Sequence, residues 1–170
     1  MISLEQFEGI AKQLFKNKLI VEELCKLFTP NSEDAFEVRC FCIERKCTGL
    51  LFLQLDGHYF VTKFSKTKFT ADKSGRVKPD ICDLCYTRLP GSKIALIRCV
   101  RASDSHTFSW MVCENLSCSL NARELTEESL DSKKMLGENT STESKIKRLE
   151  KHVTNIVNTL KLMPIRCSYE

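Results

Sequence analysis

Cys82-Asp-Leu-Cys85 and Cys113-Glu-Asn-Leu-Ser-Cys118 decide how this chain is read. The pattern is C-x2-C, an intervening run over residues 86–112, then C-x4-C. Two close cysteine pairs separated by a hairpin's length of chain read as a four-thiolate zinc site. Zinc takes four ligands at tetrahedral corners, and a two-residue gap lets one tight turn present two sulfurs to one ion. Four free buried thiols, or two disulfides, are the competing interpretation.

The residues between the pairs fit a hairpin. Pro90-Gly91 signals a turn, and the β-branched, apolar run Lys93–Val100 predicts a strand. Ala102–His106 reads as a loop, and Thr107–Val112 alternates as a second strand. The second pair cannot lie on one continuous helix, because residues five apart there point in divergent directions. Cys113 is therefore expected at the end of the strand and Cys118 in the first turn of a helix through Glu124, with Asn115 or Ser117 as its N-cap. A helix N-terminus favours the negative charge of a thiolate. Knuckle, hairpin, then a helix with a ligand in its first turn is a treble-clef arrangement.

Val77-Lys-Pro-Asp-Ile-Cys-Asp-Leu-Cys85 and Val112-Cys-Glu-Asn-Leu-Ser-Cys-Ser-Leu-Asn-Ala-Arg123 resemble the C-terminal treble-clef domain of the elongation-factor-G-binding proteins, the family of the fusidic-acid resistance proteins. Lys145–Val153 resembles that family's closing helix, so the likeness spans about residues 77–161. The resemblance implies one structural zinc on Cys82, Cys85, Cys113 and Cys118. It implies a non-catalytic adaptor that grips elongation factor G, or a related translation factor, and promotes its release from stalled ribosomes. The exposed knuckle and hairpin would then meet the partner, which puts Tyr86, Arg88, Lys93 and Arg101 at the contact. A zinc-dependent RNA- or ribosome-binding module, touching ribosomal RNA, is the alternative.

Upstream, Ser3-Leu-Glu-Gln6 can start a helix with a capping box. Phe7, Ile10, Ala11 and Leu14, then Val21, Leu24, Cys25 and Phe28, repeat at helical spacing with a register break near Asn17-Lys18, so one helix or two are expected. A three-stranded meander follows: Phe36–Cys42, Thr48–Leu55 and His58–Phe64, with Asp56-Gly57 as a hairpin turn. Phe36, Val38, Cys40 and Cys42 alternate with Glu37 and Arg39, so the two cysteines read as core positions, and with Cys47 they find no fourth ligand at suitable spacing for a second metal. Residues 65–79 form a basic connector in which Phe69 and Val77 suggest an edge strand. Residues 126–139 read as a helix tail and a mobile loop. Thr140-Ser-Thr-Glu143 caps a last helix, whose stripe Ile146, Leu149, Val153, Ile156, Val157 and Leu160 is expected to pack on its own domain rather than in a coiled coil. Pro164 ends it, and 165–170 read as a loose tail.

The fold class is thus α+β: an N-terminal helix or helix pair and β-meander, a treble-clef zinc finger, and a C-terminal helix. The expected divisions are 1–76, 77–126 and 127–170.

The 170-residue chain carries ten cysteines and a net charge of +4. Residues 60–113 hold ten basic and four acidic groups, so the positive charge gathers on the approach to the zinc site and its hairpin. It either neutralises the thiolates or forms a surface for RNA or an acidic protein, with Lys63, Lys66, Lys68, Lys73, Arg76 and Lys78 as the phosphate contacts. No run is long enough to span a membrane. Met1-Ile-Ser-Leu-Glu5 has no basic stretch followed by an apolar one, so no signal peptide is read and a monomeric, cytoplasmic protein is expected. No phosphate loop, HExxH or G-x-S-x-G occurs. Four thiolates saturate zinc, Cys99 inside an apolar strand is expected to be inert, and His106 is a poor substitute ligand. Those points argue against an enzyme. Tyr86, Phe108 and Trp110 could stack on bases, but Phe108 and Trp110 alternate as a core face would.

Overall fold

The structure is a computed structural model and describes residues 2–28, 37–68, 79–136 and 139–165. Phe36, Phe69, Val77, Lys73, Arg76 and Lys78, and the expected division at residue 76, lie outside the described residues.

Two helices open the chain, α1 (Leu4–Leu14) and α2 (Lys18–Leu27). Ser3 and Gln6 form the expected capping box: Gln6 N–H donates to Ser3 Oγ at 3.2 Å and Ser3 N–H to Gln6 Oε1 at 2.9 Å. The chain breaks at Phe15, which is extended, and Asn17 restarts it by accepting Leu19 N–H at 3.0 Å. A second N-cap at Asn17 is the physical reason for two helices rather than one.

The meander is β1 (Val38–Ile43), β2 (Thr48–Leu55) and β3 (His58–Lys68). Asp56 and Gly57 both take positive φ, 50° and 75°, as a two-residue hairpin turn requires. β3 runs past Phe64 to Lys68, and its second half pairs with β6 (Ile94–Val100), which pairs with β7 (Thr107–Cys113). Ser65–Lys68 are thus interior strand rather than connector. The result is one antiparallel five-stranded sheet in the order β1-β2-β3-β6-β7. A small ribbon of β4 (Pro79–Ile81) and β5 (Arg88–Pro90) brackets the first cysteine pair.

Both faces of the meander are covered, which explains the unbroken apolar run Leu50–Leu53. Leu50 and Phe52 point with Phe41 and Ile43 towards α1 and α2. The Phe7 ring is the hub there, 4.5 Å from Phe28, 4.9 Å from Phe41 and 5.6 Å from Phe52. Leu51 and Leu53 point the other way, joining Phe64, Ile97, Cys99 and Val112 in a core closed by α5 (Thr142–Leu160) and the cysteine knuckle. The α5 stripe is spent on this core: Leu149 and Val153 are fully buried, Ile156 and Leu160 nearly so. Phe108 and Trp110 are half-buried against the same cluster, with stacked rings 6.3 Å apart.

Three local expectations are corrected. Most of the stretch read as a helix tail and a mobile loop is a separate helix, α4 (Glu127–Leu136). Its apolar content is low because it buries serines: Ser129 and Ser132 face inward, and Ser132 Oγ accepts Arg88 N–H at 2.8 Å. Hydrogen bonds and close approach hold it where a hydrophobic stripe would normally do so. The helix after the second cysteine pair, α3 (Cys118–Ala122), is shorter than expected, and Ser117 at its N-cap makes no side-chain cap bond. Finally, Ile165 is no loose tail, since its N–H donates to Tyr59 O at 2.7 Å and its side chain joins the α1 core.

Candidate metal centre

The first pair sits in a knuckle between β4 and β5. Tyr86 N–H bonds Cys82 O at 2.9 Å and Cys82 N–H bonds Thr87 O at 3.0 Å, which folds the two sulfurs to one side. Tyr86 pays for that turn with a positive φ of 61°, a conformation costing a non-glycine residue about 1–2 kcal/mol. Asp83 fastens the knuckle to the edge of the sheet. Its N–H donates to Met111 O at 2.7 Å, and Met111 N–H donates to its Oδ2 at 2.6 Å.

The second pair is divided between elements as the spacing required. Cys113 is the last residue of β7 and Cys118 the first of α3. Between them Leu116 takes φ 54° and Asn115 Oδ1 accepts Ser117 N–H at 3.1 Å, turning the chain back.

All four sulfurs lie within 4.8 Å of one another, and the cysteines are buried. Cys82 and Cys118 are 3.7 Å apart, Cys85 and Cys113 3.5 Å. A tetrahedron with zinc–sulfur bonds of about 2.3 Å has an edge of about 3.8 Å. The spacing therefore fits one zinc ion and is far too long for a disulfide. The chemistry of the thiols agrees. Hydrogen bonds from Cys113, then Cys118 and Cys82, hold Cys85 well below the ordinary thiol range. Cys118 is pushed well above it by its hydrogen bonding with the other sulfurs, Cys113 foremost, and by burial. Without a cation the cluster favours a thiolate at Cys85 and resists one at Cys113 or Cys118; a dication at the centre removes that resistance.

Around the sulfurs is a polar layer that spacing alone did not disclose. Asn121 Nδ2 donates to Cys113 Sγ at 3.1 Å, Leu84 N–H to Cys82 Sγ at 3.4 Å, and Thr87 Oγ1 lies 3.2 Å from Cys85 Sγ. Asn121 lies in the quoted Ser-Leu-Asn-Ala-Arg run, three residues after Cys118, on the inner face of a helical turn. That placement was the one available signal.

A buried ion pair clamps the finger to the meander. Arg123 grips Glu37 with two bonds of 2.7 and 2.8 Å, and Ser119 Oγ accepts Val38 N–H at 3.1 Å. Burial would raise Glu37, but Arg123 outweighs it and holds the carboxyl below its usual range.

The other expected residues are distributed as follows. Among the described residues, the four ligand cysteines form the one metal-competent group, so Cys40, Cys42 and Cys47 assemble no second site. Burial pushes the Cys99 thiol up to about 12, consistent with the inert strand position expected of it. Tyr86 is 39% exposed at the knuckle tip, under the Arg148 guanidinium at 4.5 Å and 5.2 Å from the His152 ring. Arg88 is half-buried beside α4. Lys93 pairs with Glu128 at 2.7 Å. Arg101 bonds Asp104 at 2.9 Å and Thr159 O at 3.0 Å, and lies over the Phe108 ring. Of the basic strip, Lys63 is exposed, but Lys66 is not on the surface. It is buried against Glu44 at 2.6 Å and Glu114 at 3.1 Å, and Lys68 shares the same two carboxylates. A lysine read from its basic run as solvated instead shares the inward alternation of Thr62 and Phe64 and lies buried beneath a partly exposed charge cluster.

A cysteine knuckle, a hairpin, and a short helix supplying the fourth ligand define a treble-clef zinc finger. The family model for the FBP C-terminal treble-clef zinc-finger matches residues 49–160, and the chain belongs to that family. The match begins inside β2 and ends on the last residue of α5, so it takes in strands well before the residues that carry the resemblance in sequence. No curated protein and no solved structure matches the chain significantly.

Proposed function

We propose that this chain is a non-catalytic, zinc-stiffened adaptor that binds elongation factor G or a related translation factor and promotes its release from stalled ribosomes. The observation that carries the reading is the family match over residues 49–160, built on a site whose four thiolates leave zinc no open position for water or substrate. The metal would act by rigidity. It joins knuckle, hairpin and α3 into one block, so little ordering entropy is lost on docking. Tyr86, Arg88, Lys93 and Arg101 are the proposed contacts, with Tyr86 the foremost because it projects from the knuckle. Lys93 and Arg101 already hold carboxylates of their own chain, which limits their part to on-rate steering. A ligand shifts an equilibrium only through differential affinity, so the adaptor must bind the departing factor more tightly than the stalled one. As a monomer in the cytoplasm it would meet that factor directly; no helix among the described residues is long and apolar enough to cross a membrane.

Titration calorimetry of zinc-loaded protein into purified elongation factor G tests this, with Tyr86→Ala as the contact variant. Measurable heat that Tyr86→Ala diminishes supports the reading. Absence of heat at about 50 micromolar, a concentration at which micromolar complexes saturate, removes this partner. Salt-resistant binding to ribosomal RNA in the same preparation would favour the RNA-binding alternative. The internal pairing of Lys66 and Lys68 speaks against that outcome.

A further inference from the structure

The first turn of α4 is wired to the metal ligands through a single hydroxyl. Thr126 immediately precedes α4, and its Oγ1 accepts Ser129 N–H at 3.1 Å, as an N-cap does. Ser129 Oγ in turn lies 2.7 Å from Thr126 O and 3.4 Å from Thr126 N. The Thr126 hydroxyl has one proton, and it donates this to Asn121 Oδ1 at 2.6 Å. That bond fixes which way the Asn121 amide faces. Its oxygen is occupied, so its NH2 group must face the sulfurs, 3.1 Å from Cys113 Sγ and 4.0 Å from Cys85 Sγ. Asn121 is 3% exposed, so its amide is largely shielded from bulk solvent.

We propose that Asn121, oriented by the Thr126 hydroxyl, is the outer-layer positioning residue of the zinc site, and that the Thr126–Asn121–Cys113 chain supports zinc retention. An N–H donor drains charge from a zinc-bound thiolate. It spreads the negative charge of a four-sulfur centre and holds Cys113 in its tetrahedral corner. Outer-layer partners of this kind are worth about 10–100-fold in metal affinity.

The test is competition for zinc between the full chain and a chromogenic chelator, together with the sulfur-to-metal charge-transfer band of the cobalt(II)-loaded protein. Asn121→Ala should weaken zinc retention by about tenfold or more. It should also move the cobalt band to lower energy, because a thiolate without its N–H partner is a stronger donor. Thr126→Val should act in the same direction more weakly, while Thr126→Ser, which keeps the hydroxyl, should match the unaltered chain. Ser129→Ala loosens the cap without touching the Thr126–Asn121 bond, so it should leave zinc retention and the band unchanged. Unaltered retention in Asn121→Ala overturns the proposal, as does weakened retention with an unmoved cobalt band, which would make Asn121 a packing residue. Ser129→Ala releasing zinc as readily as Thr126→Val overturns it too, since general loosening of α4 would then suffice. Should Asn121→Ala fail to fold, the Val and Ser variants at Thr126 decide the matter.

Discussion

Replacing Arg123 by Met should weaken the join between the finger and the meander more than any change of comparable size on the surface. Arg123 makes two charge-assisted bonds to Glu37, at 2.7 and 2.8 Å, and a third to Ser119 O at 3.0 Å. Met keeps most of the side chain's length but none of the donors. Glu37 is 7% exposed and would be left as a buried, unpaired carboxylate. Breaking a buried pair from one side costs about 3–5 kcal/mol, and the Arg123 side chain's 25% exposure lowers the expectation to about 2–3 kcal/mol. For a chain of this size that is a fall in Tm of roughly 5–10 °C. Urea unfolding of zinc-loaded protein reads it directly as a shift in midpoint at constant slope.

The pH dependence gives a second reading of the same pair. Folding holds the Glu37 carboxyl below its ordinary value, so the unfolded chain binds its proton first as pH falls. The pair's stability is therefore fully present above the unfolded pKa of about 4.3 and is lost as pH drops through the lower folded value. The gap between Arg123→Met and the unaltered chain should be widest near neutrality and close in acid. Glu37→Gln should recover part of the loss in the Arg123→Met background, since a neutral amide is cheaper to bury unpaired. A stability difference under about 0.5 kcal/mol at pH 7, within the ordinary range for surface substitutions, would refute the reasoning.

Removing the metal should unfold the finger. Apparent zinc binding in small modules is about 10–16 kcal/mol at neutral pH, so Cys85→Ala or a strong chelator should abolish stoichiometric zinc in elemental analysis and protection of β6, β7 and α3 in hydrogen exchange. Lys66→Met should destabilise the chain by about 0.5–1.5 kcal/mol, because it removes the buried ammonium while Lys68 still bridges the partly exposed Glu44 and Glu114. Burial lowers the Lys66 pKa, but bonds to Glu44 and Glu114 outweigh it and raise it overall; its contribution is thus present below the unfolded value and lost as pH rises through the folded one, which an alkaline denaturation series would show. Cys99, with its thiol near 12, should resist iodoacetamide at pH 8 in the folded protein; modification at the rate of an exposed cysteine would contradict its burial.

Short-range chemistry was legible in the sequence because it is decided within a few residues. The ligand pairs, the Ser3–Gln6 box, the Asp56-Gly57 turn and the α5 stripe each follow from spacing that local geometry enforces. Even the division of Cys113 and Cys118 between a strand end and a helix start could be argued from the divergence of residues five apart. Those features determined an α+β chain with a treble-clef centre.

What the sequence left open was decided by residues far apart along the chain. Nothing near Lys66 says that Glu44 and Glu114, twenty-two and forty-eight positions away, will enclose it, and a lysine in a basic run reads as solvated until they do. Helix α4 lacks an apolar stripe, and only the packed structure supplies the Arg88 N–H and the polar layer that make buried serines favourable. Pairing of β3 with β6 joins the meander and the finger in one sheet, so the second core must be closed from both sides before either face of β2 makes sense. Asn121 belongs to the same class. A buried amide acquires its meaning only once the sulfurs on one side and the Thr126 hydroxyl on the other are in place, because an unsatisfied polar group there would cost more than the helix turn gains.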